Sequence, residues 1–349
     1  MRTRLTDLLG CPHPVVQTGM GFVSDAALVA ATSAAGGFGI IASAAMSLDE
    51  LRATIRQVRQ RTDAPFGVNV RADLPDSAER IDLLITEQVR LASFALAPSR
   101  DLIRRCQDGG VLTMPSVGAR RHAEKVTAWG VDAVLVQGGE GGGHTGPVPT
   151  TLLLPQVVDA VDVPVVAAGG FFDGRGLVAA LAYGASGIAM GTRFLLTSDS
   201  PVSAEVKAHY LAASVTDTVV TTRVDGVPHR VLRTPFVRAL EDAGPVSGLV
   251  RSVRHAQAFR RQTGLSWAAL LGAARATRRG RGLSWAQTVM AANTPALLRT
   301  SMAQGRPEAG VMPAGQVAGL ITDLPSCAEL IDRIVKEADD RLAALSSAR

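Results

Sequence analysis

The sequence predicts an α/β protein built on a (β/α)8 barrel, with a helical, arginine-rich lid or small second domain attached. Eight short apolar, β-branched-rich runs fall within the first 195 residues, each followed by a segment of helical period or composition, and their starts lie 20 to 30 residues apart. That is the rhythm of strand and helix alternation. Runs such as Val163-Pro164-Val165-Val166-Ala167-Ala168 are apolar without alternation, as a parallel strand covered on both faces requires. After Arg193 the pattern changes, which marks the end of the barrel.

Taken in order, strands are expected at 15–20, 38–43, 66–71, 91–97, 111–117, 133–139, 163–170 and 187–194. Helices fit between them at 25–35, 47–62, 77–88, 99–107, 119–129, 152–161 and 174–183. The second of these opens on Ser47 with Glu50 three residues on, a capping box. An open, doubly wound sheet is the rival, since alternation alone does not tell closure from an open edge. Beyond the barrel comes a Thr-rich extended piece, 216–233, and then a helical block containing Gly264-Leu265-Ser266-Trp267-Ala268 and Gly282-Leu283-Ser284-Trp285-Ala286. The repeated Ser-Trp-Ala reads as two helix starts with Ser as N-cap. The expected organisation is therefore a barrel over 1–200, a substrate-binding lid or insertion over 201–310, and a segment over 311–349 whose amphipathic helix, 330–345, packs back on the barrel.

Composition narrows the class. With 47% hydrophobic and 19% charged residues and a mean hydropathy of +0.19, the chain is neither disordered nor, lacking an apolar stretch of about 18 residues, membrane-spanning. Three cysteines without a CxxC pair and no basic-then-apolar leader before residue 20 make the cytoplasm the expected location. The net charge of +5 is unevenly spread: between Asp242 and Glu308 there are ten arginines and no acid, leaving 26 basic against 31 acidic residues elsewhere.

The active site of such a barrel lies at the C-terminal strand ends. After the sixth strand comes Gln137-Gly138-Gly139-Glu140-Gly141-Gly142-Gly143-His144-Thr145-Gly146. Its glycines allow the backbone to lie against a ligand, and His144 supplies an imidazole, a general acid or base near neutral pH. The alternative is a surface turn with an incidental histidine. After the seventh strand come Ala168-Gly169-Gly170 and a helix opening at Asp173-Gly174-Arg175-Gly176, and after the eighth Met190-Gly191-Thr192-Arg193. Bare turns at these adjacent ends, with a helix N-terminus, form the recurrent phosphate site of barrels, so a phosphate-bearing cofactor is expected. Gln17-Thr18-Gly19-Met20-Gly21 ends the first strand and Asn69 the third; Asn69 reads equally as a satisfied structural amide.

The ordered set of Gln137 to Gly146, Pro164 to Gly170, Asp173 to Gly176 and Gly191-Thr192-Arg193-Phe194 resembles the nitronate monooxygenases, formerly 2-nitropropane dioxygenases, and equally their relative, the FMN-dependent enoyl-acyl-carrier-protein reductase. The resemblance covers about 12–235 and the late Gly315-Gln316. It implies a TIM barrel with non-covalent FMN, whose phosphate would meet Gly169, Gly170, Gly191 and Thr192. Flavin ring and ribityl chain would lie by Met20, Asn69, Gln137, Gly142 and Ala168, with His144 as the active-site histidine. Nitronate-oxidising members usually carry a lysine at the end of the fifth strand, just before a Ser-Val pair, where this chain reads Met114-Pro115-Ser116-Val117, a version similar to the enoyl reductases. Over its full length the chain resembles the steroid-degrading branch of these flavin oxidoreductases, which implies a coenzyme A thioester of a partly degraded steroid ring as substrate.

The resemblance thus implies an FMN-dependent oxidoreductase of a cyclic CoA thioester, working by dehydrogenation or ene reduction next to a carbonyl, with NAD(P)H or NAD(P)+ as a transient co-substrate. The alternative within the family is oxidation of alkyl nitronates with O2. Arginine forks suit the phosphates of coenzyme A; the same side chains read equally as a solvated helix face or as partners of the acidic barrel of this or a neighbouring subunit, in a homo-oligomer. Basic nucleic-acid binding is the reading from another class; no nucleic-acid module accompanies the arginines, so neither nucleic acid nor a membrane is the expected partner.

Overall fold

The computed structural model describes residues 1–242 and 294–347. The chain divides into two compact units, one made of residues 1–141, 145–201 and 320–349, the other of 142–144 and 202–319.

In the first unit eight parallel strands close on themselves: β1 (Val15–Gln17), β2 (Phe38–Ala42), β3 (Gly67–Arg71), β4 (Leu91–Ala95), β5 (Leu112–Val117), β6 (Val134–Gln137), β8 (Val165–Ala168) and β9 (Gly187–Met190). Closure is made by β9 on β1, with Val16 opposite Ala189 and Gln17 opposite Met190, and it removes the open-sheet rival. Every residue of β2, β8 and β9 is buried, as the unbroken apolar runs require. The barrel interior joins Val16, Ile40, Leu91, Met114, Leu135 and Val166 to Leu5 and Leu9 of a short helix, α1 (Arg4–Leu9). Burying each of these two leucines is worth roughly 1.5–3 kcal/mol. That helix was not foreseen; its signal is Thr3, which with Thr6 forms a reciprocal cap.

The strands are shorter than their apolar runs, and at the last two the reason is visible. The seventh barrel strand, β8, stops at Ala168 because Gly169 and Gly170 turn into left-handed backbone, φ 95° and 84°, which suits residues without a Cβ. The eighth, expected to run to residue 194, stops at Met190, and Thr192–Leu195 forms a helical turn instead, with Leu195 N–H donating to the Gly191 carbonyl.

The last helix, α12 (Cys327–Ser347), packs on α2 (Ala26–Ala34) and α8 (Gly174–Ala182). Leu330, Ile331 and Ile334 are fully buried. The close approach needs Gly174, since a Cβ there would stand 2.5 Å from both the Glu337 Cβ and the Ile334 carbonyl oxygen. Among the described residues no helix is long and apolar enough to cross a membrane.

In the second unit the Thr-rich piece is a hairpin of β10 (Thr218–Thr221) and β11 (His229–Leu232), and β7 (Gly143–His144) adds antiparallel to β11, His144 opposite His229. Val224, Val231, Val237, Leu297 and Val311 form its core. Residues 311–319 belong here, whereas the sequence grouped them with the C-terminal segment: Leu232 N–H donates to the Met312 carbonyl, and Val231 bridges Pro313. Both Ser-Trp-Ala helix starts and eight of the ten arginines lie outside the described residues.

Candidate active site

Eight of the ten residues singled out above lie in the first unit; seven stand at or just past the C-terminal ends of barrel strands, whereas Asn69, expected to end the third strand, lies within β3 two residues before its end. The parallel register sets Gln137 beside Ala168. Gly19 carries the chain so near β3 that a Cβ on it would meet the Asn69 Cβ at 2.5 Å, and one on Gly191 would lie 3.4 Å from Met20 Sδ. Met20 and Gly191 are thus brought together, as are Gly169 and Gly138, where a Cβ on Gly169 would reach the Gly138 oxygen at 3.0 Å. Thr192 follows Gly191 into the helical turn. Asn69 Nδ2 donates to Ser93 Oγ at 3.3 Å.

The other two, Gly142 and His144, belong to the second unit. Gly142 lies against Ala314 and the Gly315 nitrogen. His144 stands on the edge strand β7, its side chain 40% exposed, and its Nε2–H donates to Asp225 Oδ2 at 2.5 Å. His229 lies beside both: its ring centroid is 4.7 Å from that of His144 at an interplanar angle of 46°, and its Nδ1 is 3.8 Å from the same Asp225 oxygen. Asp225 and His229 are buried. Burial alone would raise the Asp225 carboxyl; the hydrogen bond from His144 and the nearness of His229 overcome this and hold it well below the usual carboxylate range. Burial pushes the His229 imidazole below its ordinary value, against the attraction of Asp225, and repulsion from His144 lowers it further. Among the described residues neither His229 ring nitrogen has a hydrogen-bond partner.

These three side chains bring ligand atoms within 4.8 Å of one another, so a metal must be weighed. Two atoms sharing a tetrahedral ion at about 2.0–2.1 Å keep about 3.3 Å apart. At 2.5 Å, His144 and Asp225 are a charge-assisted hydrogen bond.

A family model described as nitronate monooxygenase matches residues 2–81 and 76–337. The chain belongs to the nitronate monooxygenase family. It is 56% identical over 100% of its length to "(3aS,4S,5R,7aS)-5-hydroxy-7a-methyl-1-oxo-octahydro-1H-indene-4-carboxyl-CoA dehydrogenase" of Rhodococcus jostii, covering 99% of that protein. It is 57% identical over 99% of its length to the protein of the same name from Mycobacterium tuberculosis, also covering 99% of it. Among solved structures, FabK from Thermotoga maritima superposes with a TM-score of 0.82 at 35% identity, covering both chains fully. Nitronate monooxygenase family members are FMN oxidoreductases, and this chain is an oxidoreductase of that family.

The strand ends of the first unit fit a flavin nucleotide. Gly169 and Gly170 are left-handed, and a Cβ on Gly170 would meet nothing nearer than the Glu140 Cβ at 3.7 Å. The Glu140 carboxylate is turned to Thr150, whose N–H and Oγ1 donate to it at 3.0 and 2.7 Å. One expected contributor is taken. The N-terminus of α8 is closed by carboxylates, Asp173 accepting from Gly176 N–H and Glu337 from Gly174 N–H, each at 2.9 Å. Of the turns expected to meet a phosphate, the helix N-terminus at 173–176 is thus already occupied, and those at 169–170 and 191–192 remain.

Asp225 and His229 were missed in the sequence. Their signal was present in Asp225-Gly226-Val227-Pro228-His229, an Asp-Gly turn with acid and imidazole four residues apart inside a Thr-rich stretch.

Proposed function

We propose that this chain is an FMN-dependent dehydrogenase of a cyclic coenzyme A thioester, removing two hydrogens from neighbouring carbons beside the thioester carbonyl, with a nicotinamide as outside electron partner. Coverage carries this reading. The relatives named as hydroindene-carboxyl-CoA dehydrogenases align with the chain from end to end, through the arginine-rich stretch as well as the barrel. Their names support the oxidative direction, and the methyl-oxo-indene skeleton in them supports a place in steroid-ring degradation. The absence of a lysine in Met114-Pro115-Ser116-Val117 speaks against nitronate oxidation.

In this reading Gly169, Gly170, Gly191 and Thr192 hold the FMN phosphate, and Met20, Asn69, Gln137, Gly142 and Ala168 line its ring and ribityl chain. FMN, when bound, supplies the two-electron acceptor. His144 takes the proton from the carbon next to the carbonyl, a task for which a half-exposed imidazole backed by a carboxylate is suited. Arginines between Asp242 and Glu308 meet the phosphates of coenzyme A.

The test is a visible spectrum of the purified protein under anaerobic conditions. A yellow protein bleached by a saturated cyclic CoA thioester such as cyclohexanecarboxyl-CoA, with colour restored by NAD+ or NADP+, is the expected result. A colourless protein, or one indifferent to the thioester that consumes oxygen rapidly with propyl nitronate, overturns the reading.

A further inference from the structure

In the second unit a buried carboxylate is committed to the half-exposed imidazole of His144, and a second imidazole is buried beside them with no hydrogen bond among the described residues to explain it. Asp225 is 6% exposed and His229 3%, while the His144 side chain is 40% exposed. We infer that Asp225 is the positioning residue of His144: its Oδ2 holds the Nε2 proton at 2.5 Å and fixes ring orientation and tautomer, while His229 walls off the other side of the carboxylate. This rests on the role proposed above for His144.

Several features carry it. A neutral imidazole has one N–H, so a proton kept on Nε2 by Asp225 leaves the ring lone pair on Nδ1. The carboxylate is itself fixed, because its Oδ1 accepts from Val227 N–H at 3.2 Å within the 225–229 turn, and the register of β7 on β11 fixes His144 opposite His229. When His144 takes up a proton, the imidazolium finds a negative charge already in place and shielded from water, where Coulomb attraction is strongest. Burying an imidazole that makes no hydrogen bond among the described residues is unfavourable by itself; in this arrangement His229 contributes its ring face to His144 and excludes water from Asp225. Among the described residues, the titratable groups that face Asp225 are His144 of β7 and His229 of β11.

The variant Asp225→Asn separates this from a structural role. Asparagine keeps an oxygen for Val227 N–H and turns an amide N–H toward His144 Nε2, which inverts the tautomer. With 15N-labelled histidine, the neutral His144 signal is expected to change from the Nε2–H to the Nδ1–H pattern. Turnover is expected to fall within the roughly 10²- to 10⁴-fold range of a positioned acid or base, with KM little changed and flavin still bound. An Nε2–H tautomer retained in Asp225→Asn, or full turnover in that variant while His144→Ala is crippled, overturns the inference and leaves the proposed function standing. Full turnover of His144→Ala instead overturns the proposed function. Stoichiometric Zn2+ binding by calorimetry, lost in Asp225→Asn, would also overturn the inference, since the three side chains would then be ligands of an ion.

Discussion

His144 Nε2 and Asp225 Oδ2 lie 2.5 Å apart across 81 positions of chain. The contact exists because three residues, 142–144, leave the barrel loop and pair as a strand with β11. An imidazole that would otherwise sit in a glycine loop is thereby given a rigid backbone and a charged partner.

If His144 moves a proton in the reaction, His144→Ala retains flavin, because the turns proposed to hold the flavin phosphate belong to the barrel strands. Turnover falls roughly 10²- to 10⁴-fold. Steady-state kinetics beside the visible spectrum check both halves of the statement.

The turn at Gly170 offers a sharper view of the proposed phosphate site. Gly170→Ala has room for its methyl group, the nearest atom being 3.7 Å away, but must hold φ near 84°, at a cost of about 1–2 kcal/mol. The variant folds, and its flavin dissociates more readily. Ultrafiltration of the yellow protein measures this; flavin retention equal to wild type would place the phosphate elsewhere.

Gly174→Ala tests the seat of α12. Its Cβ would stand 2.5 Å from Glu337 Cβ and from the Ile334 oxygen, so helix must shift against helix, with a loss of roughly 1–3 kcal/mol. Denaturant unfolding reads the change; a stability equal to wild type would mean that the α8–α12 contact is looser than drawn.

Acid should weaken the fold through His229. Burial, the larger cause, and His144 depress its pKa in the folded chain, so the unfolded chain binds the proton more readily. The contribution of His229 is complete above pH of about 6.5 and is lost progressively below it. Asp225 is also depressed, but as a carboxyl its stabilisation persists above pH of about 4 and is lost only in stronger acid. Between pH 8 and 5.5 the urea midpoint should therefore fall, and less steeply in His229→Gln. Equal slopes in both proteins would show that His229 is not buried neutral.

Much of the barrel was legible because each strand and helix is written in contiguous residues. The run 163–168 declares a strand covered on both faces, and Ser47 with Glu50 declares a helix start that the structure realises as a reciprocal cap, Glu50 N–H to Ser47 Oγ and Ser47 N–H to Glu50 Oε2. The glycines at 169 and 170 mark the end of a strand by the backbone that suits them. Less legible was the fate of the 173–176 turn, since the carboxylate that closes it with Asp173 comes from Glu337, 163 residues away.

By itself, then, the order of residues determined the number of strands, the bare turns at their ends and the presence of one imidazole in the sixth loop, because period, capping and backbone freedom are local properties. Closure of β9 on β1, capping of the α8 N-terminus by Glu337 and the pairing of His144 with Asp225 were decided only by tertiary structure. Each depends on hydrogen bonds between residues remote in the chain, whose register and burial no local pattern encodes.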